Sequence, residues 1–104
     1  VVLVTAPDGE TAETIGRKLL EERLVACVNV VPGLRSFYWW RGQIEESDET
    51  LMLLKARRED VRSIATRVRE LHPYEVPEVL ATDVVDGLGA YLDWVQAETD
   101  RSGN

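Results

Sequence analysis

The sequence predicts an α+β domain: one mostly antiparallel sheet with helices on one face, in the order β-α-β-β-α-β and then a last helix. Three observations predict it. Short β-branched runs alternate with two stretches of helical apolar spacing. The aromatic run Phe37-Tyr38-Trp39-Trp40 is followed at once by the turn pair Arg41-Gly42. Pro73 cuts the second helical stretch off from a final β-branched one, because the residue before a proline avoids the helical region.

The elements follow in order. Val1 to Ala6 is apolar and β-branched and reads as a buried strand. Pro7-Asp8-Gly9 is a turn, with Asp8 suited to cap a helix. Ala12, Ile15, Gly16, Leu19 and Leu20 then fall on one helical face, with Glu13, Arg17, Lys18 and Glu21 opposite, so an amphipathic helix runs to about Glu22. Ala26 to Val31 reads as a second strand stopped by Pro32-Gly33. Ser36 to Trp40 is an aromatic strand, Arg41-Gly42 a hairpin turn, and Gln43 onward returns toward Lys55. Glu45-Glu46-Ser47-Asp48-Glu49 is a polar bulge or bend within that arm. Val61, Ile64, Ala65, Val68 and Leu71 mark the second helix, with Glu59 and Asp60 near its positive end. Val76 to Val85 holds one more strand, interrupted at Pro77 and placed at a sheet edge. Gly87 to Thr99 closes with a short helix, and Asp100 to Asn104 reads as a frayed tail. This order is the split βαβ, ferredoxin-like arrangement.

Composition sets bounds on function. The 104 residues make one domain, 1–104, with 44% hydrophobic and 30% charged residues. The net charge of −7 argues against a nucleic-acid partner, whose phosphates draw on Lys and Arg. No apolar run approaches the roughly 20 residues that span a bilayer, so no membrane partner is expected. Val1-Val2-Leu3-Val4 has no basic flank and reads as a strand rather than a leader. Cys27 is the only cysteine, so no internal disulfide can form, which fits a cytoplasmic setting.

Strands with one wet face alternate apolar and polar residues. These do not. Phe37 and Trp39 point one way while Tyr38 and Trp40 point the other, and Val1 to Val4 is apolar on both faces. The last helix is too short to cover four strands. A neighbouring copy is the simplest cover, with Phe37, Trp39 and Trp40 as interface core, and the long hairpin could reach another subunit's edge.

His72-Pro73-Tyr74-Glu75-Val76-Pro77-Glu78 is the richest segment for chemistry. It places the only His and two carboxylates, Glu75 and Glu78, on a stiff non-helical stretch suited to a metal ion or small ligand. His72 reads equally well as a helix cap. Cys27 reads as a small buried hydrophobe, or as a thiolate ligand that with imidazole would suit copper or zinc. Glu45, Glu46, Asp48 and Glu49 could attract cations, though a charge run reads first as solvated. Arg57, Arg58, Arg62, Arg67 and Arg69 alternate with Glu59, Asp60 and Glu70, the pattern of a salt-bridged outer face. The first strand-to-helix turn, Ala6-Pro7-Asp8-Gly9-Glu10, is acidic and disfavours an anion cradle. No complete acid–base or nucleophile set is visible, so an enzyme is not expected; Cys27 with His72 would need proof of contact.

Taken together, these segments resemble the CutA family of divalent-cation tolerance proteins. The resemblance spans nearly the whole chain. It rests on Leu3-Val4-Thr5-Ala6, Leu24-Val25-Ala26-Cys27-Val28-Asn29, Tyr38-Trp39-Trp40-Arg41-Gly42-Gln43-Ile44, Leu54-Lys55, the His72 to Glu78 segment and Tyr91-Leu92-Asp93-Trp94. It implies a homotrimer and a role in tolerance of divalent metals, copper in particular. Cys27 matches a family cysteine implicated in metal binding, and His72 matches the His of the family's H-P-Y motif. Further cysteines found in some members are missing here, which weakens a thiolate-rich copper site. The trimeric plan is also similar to the PII signalling proteins, which implies a cleft between subunits lined by Tyr38, Trp39, Lys55, His72 and Tyr74. Three expectations follow: a metal-binding homotrimer using Cys27 and His72 with Glu75 or Glu78; a PII-like sensor of a small anion or metabolite; or a scaffold without a ligand.

Overall fold

The computed structural model describes residues 1–102. β1 (Val2–Ala6) leads to α1 (Gly9–Glu21). The long strands β2 (Cys27–Trp40) and β3 (Gln43–Lys55) follow, then a 3₁₀ turn (Arg58–Asp60) running into α2 (Val61–Leu71). The short strand β4 (Val79–Ala81) and α3 (Gly89–Glu98) complete the order. The sheet has the order β2-β3-β1-β4, and all its pairings are antiparallel. The α+β, split βαβ prediction is the fold observed.

Local chemistry explains the boundaries. Asp8 is extended and its carboxylate accepts from the Thr11 N–H at 2.8 Å, capping α1. The far end has no glycine to mark it. Arg23 takes the left-handed conformation instead, with φ 58°. Its N–H donates to the Leu20 carbonyl and that of Leu24 to the Leu19 carbonyl, the paired bonds that close a helix. α2 ends where Pro73 requires: His72 is extended, and its N–H makes the last bond to Val68 at 2.8 Å.

The core lies between the helices and one sheet face. Val2, Val4 and Ala6 of β1, Met52 and Leu54 of β3, Ala12, Ile15 and Leu19 of α1, and Ile64 and Val68 of α2 are all buried. Arg67 ties the helices together, its guanidinium donating to Glu22 at 2.8–3.0 Å. The other sheet face carries Leu3, Leu51, Leu53, Val31 and Leu80, since antiparallel partners share a face. Among the described residues no helix lies across it as α1 and α2 do on the first: within α3 only Val95 is buried, and Tyr91, Leu92 and Trp94 remain exposed. Polar ties hold that helix by its end. Arg57 donates to Thr99 Oγ1 at 2.9 Å and to the Gln96 carbonyl at 2.6 Å.

Four expectations change. Pro32-Gly33 does not stop the second strand. Two residues there face one on β3, because Val31 pairs with Leu51 and Leu34 with Glu49. That is a β-bulge, with Gly33 supplying φ 81°, and an edge strand tolerates Pro32 because its missing N–H can face solvent. The expected strands 26–31 and 36–40 are therefore one. The acidic stretch Glu45 to Glu49 contains no bend; it is regular strand, and the irregularity lies across from it. β4 has three residues rather than ten, since only those pair with β1. The tail is pinned at Arg101, which donates to Asp60 at 2.7 Å and to the Arg23 carbonyl at 2.8 Å; residues 103–104 lie outside the described residues.

β1 reaches only as far along β3 as Thr50. Beyond it the two long strands pair with each other alone, as a ribbon roughly 23 Å long. The overhang stretches the molecule to 47 × 28 × 22 Å and its radius of gyration to 14.5 Å. A compact chain of this length would be about 13 Å. Arg41 (φ 51°) and Gly42 (φ 80°) turn the ribbon tip, the two left-handed residues that match hairpin twist.

Candidate functional site

The site is built where the base of the arm meets the segment after α2. Pro73 forces the chain to leave α2 abruptly, which carries Tyr74 and Glu75 to the arm. An open cavity of about 660 Å³ results, lined among others by Thr5, Tyr38, Trp40, Glu49, Tyr74 and Glu78. The bulge decides which arm residues face it. Before Pro32 the odd-numbered residues of β2 share a face with Leu51 and Leu53; after Gly33 the even-numbered ones share a face with Glu49. Tyr38 and Trp40 therefore look toward the cavity. Trp39 pairs with Ile44 on the other face, alongside Phe37. Phe37 lines the cavity edge as well.

His72 anchors the corner. It is buried, its Nε2–H donates to the Thr5 carbonyl at 2.7 Å, and its Nδ1 accepts the Tyr74 N–H at 3.1 Å. Both ring nitrogens are thereby used, and the neutral tautomer with Nε2–H is selected. The Tyr74 ring packs 4.6 Å from the imidazole, and its hydroxyl donates to Glu49 at 2.9 Å. Burial first, then the Glu49 carboxylate, pushes the Tyr74 hydroxyl up to about 12, so it stays a donor at any ordinary pH. Glu75 is exposed at the rim, 3.8 Å from the Arg41 guanidinium.

The expected site residues do not all converge. Cys27 sits opposite Lys55, and Thr5, which His72 holds, sits opposite Leu51. Those β3 positions are four residues apart, on the order of 13 Å. Cys27 lies instead beside Asn29, whose Oδ1 also accepts from Lys55, and near Tyr91. The thiol–imidazole pair weighed above is therefore not assembled within one chain. Of the expected cleft, Tyr38 and Tyr74 line one cavity with His72 behind them, while Trp39 faces away and Lys55 is at the far end. Among the described residues no group of three or more His, Cys, Asp or Glu side chains could hold a metal ion. One chain alone does not fit a resident metal.

Glu49 and Thr5 are the site residues that sequence reasoning missed. Glu49 was legible only as one of a charge run. Its burial comes from Tyr74, 25 positions away, and nothing local signals it.

Comparison with known proteins agrees with the fold and the whole layout. Residues 1–98 match the family described as CutA1 divalent ion tolerance protein. The chain is 48% identical over 99 residues to the divalent-cation tolerance protein CutA of Thermus thermophilus, covering 95% of this chain and 96% of that one. It is 44% identical to protein CutA of Mus musculus, with 97% of this chain but only 57% of that protein covered. The solved structure of a Thermus thermophilus divalent cation tolerance protein superposes with a TM-score of 0.93 at 47% identity, over 96% of this chain and 97% of that one. CutA1 from Oryza sativa gives 0.93 at 37% identity, over 97% and 93%.

Proposed function

The chain belongs to the CutA1 divalent ion tolerance family, and on that premise we propose that it acts in divalent-cation tolerance as a homotrimer whose ion contacts come from more than one copy. The observation that carries this is the uncovered arm. Phe37, Trp39 and Ile44 share one face of a two-stranded ribbon and are 65%, 73% and 65% exposed. A lone two-stranded ribbon is marginal in water, and large exposed apolar patches are places where another surface docks. A site that is open on one side and a ribbon that overhangs are complementary needs, and a second copy meets both.

Cys27, His72, Glu75 and Glu78 remain the candidate ligands, copper and zinc the candidate ions. Glu75 and Glu78 are the accessible members, while His72 must give up Thr5 or Tyr74 before it can coordinate. The role is binding rather than catalysis. A cytoplasmic setting suits the lone cysteine, and cell fractionation tests it; a relative from Archaeoglobus fulgidus is described as periplasmic.

Native mass spectrometry of the reduced protein with added copper or zinc tests the proposal. A trimer is expected, holding about one ion per subunit and losing it in Cys27→Ser and in His72→Ala, less tightly as pH falls because protons compete for both groups. A monomer would overturn the assembly, and a bare trimer would overturn the metal reading.

A second reading is a PII-like sensor of a small anion or metabolite. Its support is that Tyr38 and Tyr74 line one cavity. Thermal shift with nucleotides and carboxylates tests it; no stabilisation by any of them counts against it.

A further inference from the structure

The cavity has an unbalanced charge at its floor. Glu49 is 8% exposed, and its hydrogen-bond partner, the Tyr74 hydroxyl, is neutral. None of the ion pairs among the described residues includes it. Buried carboxylates are costly without a cation beside them. Arg35, the one basic residue lining the cavity, is already held by Glu46 and Asp48. The rings of Tyr38, Trp40 and Tyr74 and the carboxylates of Glu75 and Glu78 complete the walls. Aromatic faces with carboxylates attract cations that are too diffuse for metal coordination.

The molecule's own Arg41 shows what the rim attracts. Its guanidinium lies 5.5 Å from the Trp40 ring centre and 3.8 Å from Glu75, on a side chain that is 77% exposed. A bare metal ion is the poorer occupant, because the acidic groups do not converge to coordination distance. A volume of about 660 Å³ is that of a molecule rather than an ion.

We propose that this cavity binds a small organic cation, a guanidinium or ammonium compound that reaches Glu49 and lies against the Tyr38, Trp40 and Tyr74 rings, displacing Arg41 from the rim. The proposal differs from the anion sensor in the sign of the ligand's charge, and from the metal reading in resting on Glu49 and the aromatic rings rather than on Cys27 and His72.

Isothermal titration of the full assembled protein with agmatine tests it, since agmatine carries a guanidinium at one end and an ammonium at the other. The neutral analogue N-butylurea is the control. Agmatine is expected to bind and N-butylurea is not. Glu49→Gln keeps a hydrogen-bond acceptor for Tyr74 and should weaken agmatine about tenfold or more. Arg41→Ala should tighten it by about two- to fourfold, the scale of an exposed ion pair. Light scattering on each variant separates loss of binding from loss of assembly. No agmatine binding by the assembled protein would overturn the proposal, as when a neighbouring copy's basic side chain already fills the cavity. Equal binding by Glu49→Gln would overturn it too.

Discussion

Leu19 and Trp39 are both large apolar side chains on regular elements, yet Leu19 is 0% exposed and Trp39 73%. The first belongs to the body, where α1 and α2 close one sheet face completely. The second belongs to the arm, where two strands run on past their neighbours with nothing beside them. The body seals one face of its sheet against its own helices; the arm carries apolar surface that nothing in the described residues covers. With the proposed second copy covering the arm, stability rests mainly on the body and assembly mainly on the arm, and substitutions should divide the same way.

The sharpest test of the division is Leu19→Ala. It removes a fully buried side chain between α1 and the sheet, and should cost about 2–5 kcal/mol by urea denaturation. Helical content should fall with it. A cost below about 1 kcal/mol, too small for a large-to-small change in a sealed core, would mean that the body is not closed as described.

Trp39→Ala should act on the other half. We expect disassembly on light scattering, with a loss at the interface of about 2 kcal/mol or more if Trp39 is a central anchor. The separated chain should keep its far-ultraviolet spectrum. If Trp39→Ala unfolds the chain, body and arm are one unit and the comparison breaks.

Gly33→Ala probes the joint between them. Gly33 has φ 81°, and an L-side chain there costs roughly 1–2 kcal/mol. The strain sits at the arm's base, so assembly should weaken while hydrogen exchange in α1 and α2 is unchanged. Protection lost in the helices instead would place the bulge within the body's own cooperative unit.

The smallest effect belongs to Glu22→Gln. Hydrogen bonds from Arg67 hold the Glu22 carboxyl below its ordinary 4.5. A depressed carboxyl contributes stability above its unfolded pKa and loses it as pH falls through the folded one. Stability should therefore drop below about pH 4.5, and Glu22→Gln should remove part of that slope. The pair is about a third exposed, so the change is small. Urea melts at neutral and acid pH measure it, and an identical slope in the variant would assign the acid loss to other carboxylates.

The two regions also differed in how well the sequence announced them. In the body, periodicity and burial nearly coincide. Ala12, Ile15, Gly16 and Leu19 fall at helical spacing and are the buried residues of α1, while Leu20, expected on the same face, is exposed at its edge. The arm obeys pairing partners that no local window contains. Pro32-Gly33 carries the composition of a chain break, and only the unbroken partner strand makes it a bulge. Val76 to Val85 is as apolar as a strand, but pairing reaches only Val79 to Ala81. At the site, the His72 to Glu78 segment was legible as a unit because Pro fixes its backbone. Which atoms of His72 were spoken for, and that Glu49 is buried, depend on Thr5 and Tyr74 folding onto them from elsewhere.

The bulge gives the arm a parity. Strand side chains alternate with a period of two, so a shift of one residue exchanges the faces. Ahead of the bulge Cys27, Asn29 and Val31 share a face; beyond it Tyr38 and Trp40 continue that face while Phe37 and Trp39 take the other. Loss of one of the two bulge residues would restore unbroken alternation and leave Tyr38 and Trp40 on the face they hold now, whereas loss of one residue from the regular stretch beyond the bulge would exchange the faces on one side of it. A single deletion should therefore be tolerated at this joint and rejected along the regular strand beyond it, a counting rule that point substitutions along the same strand would never reveal.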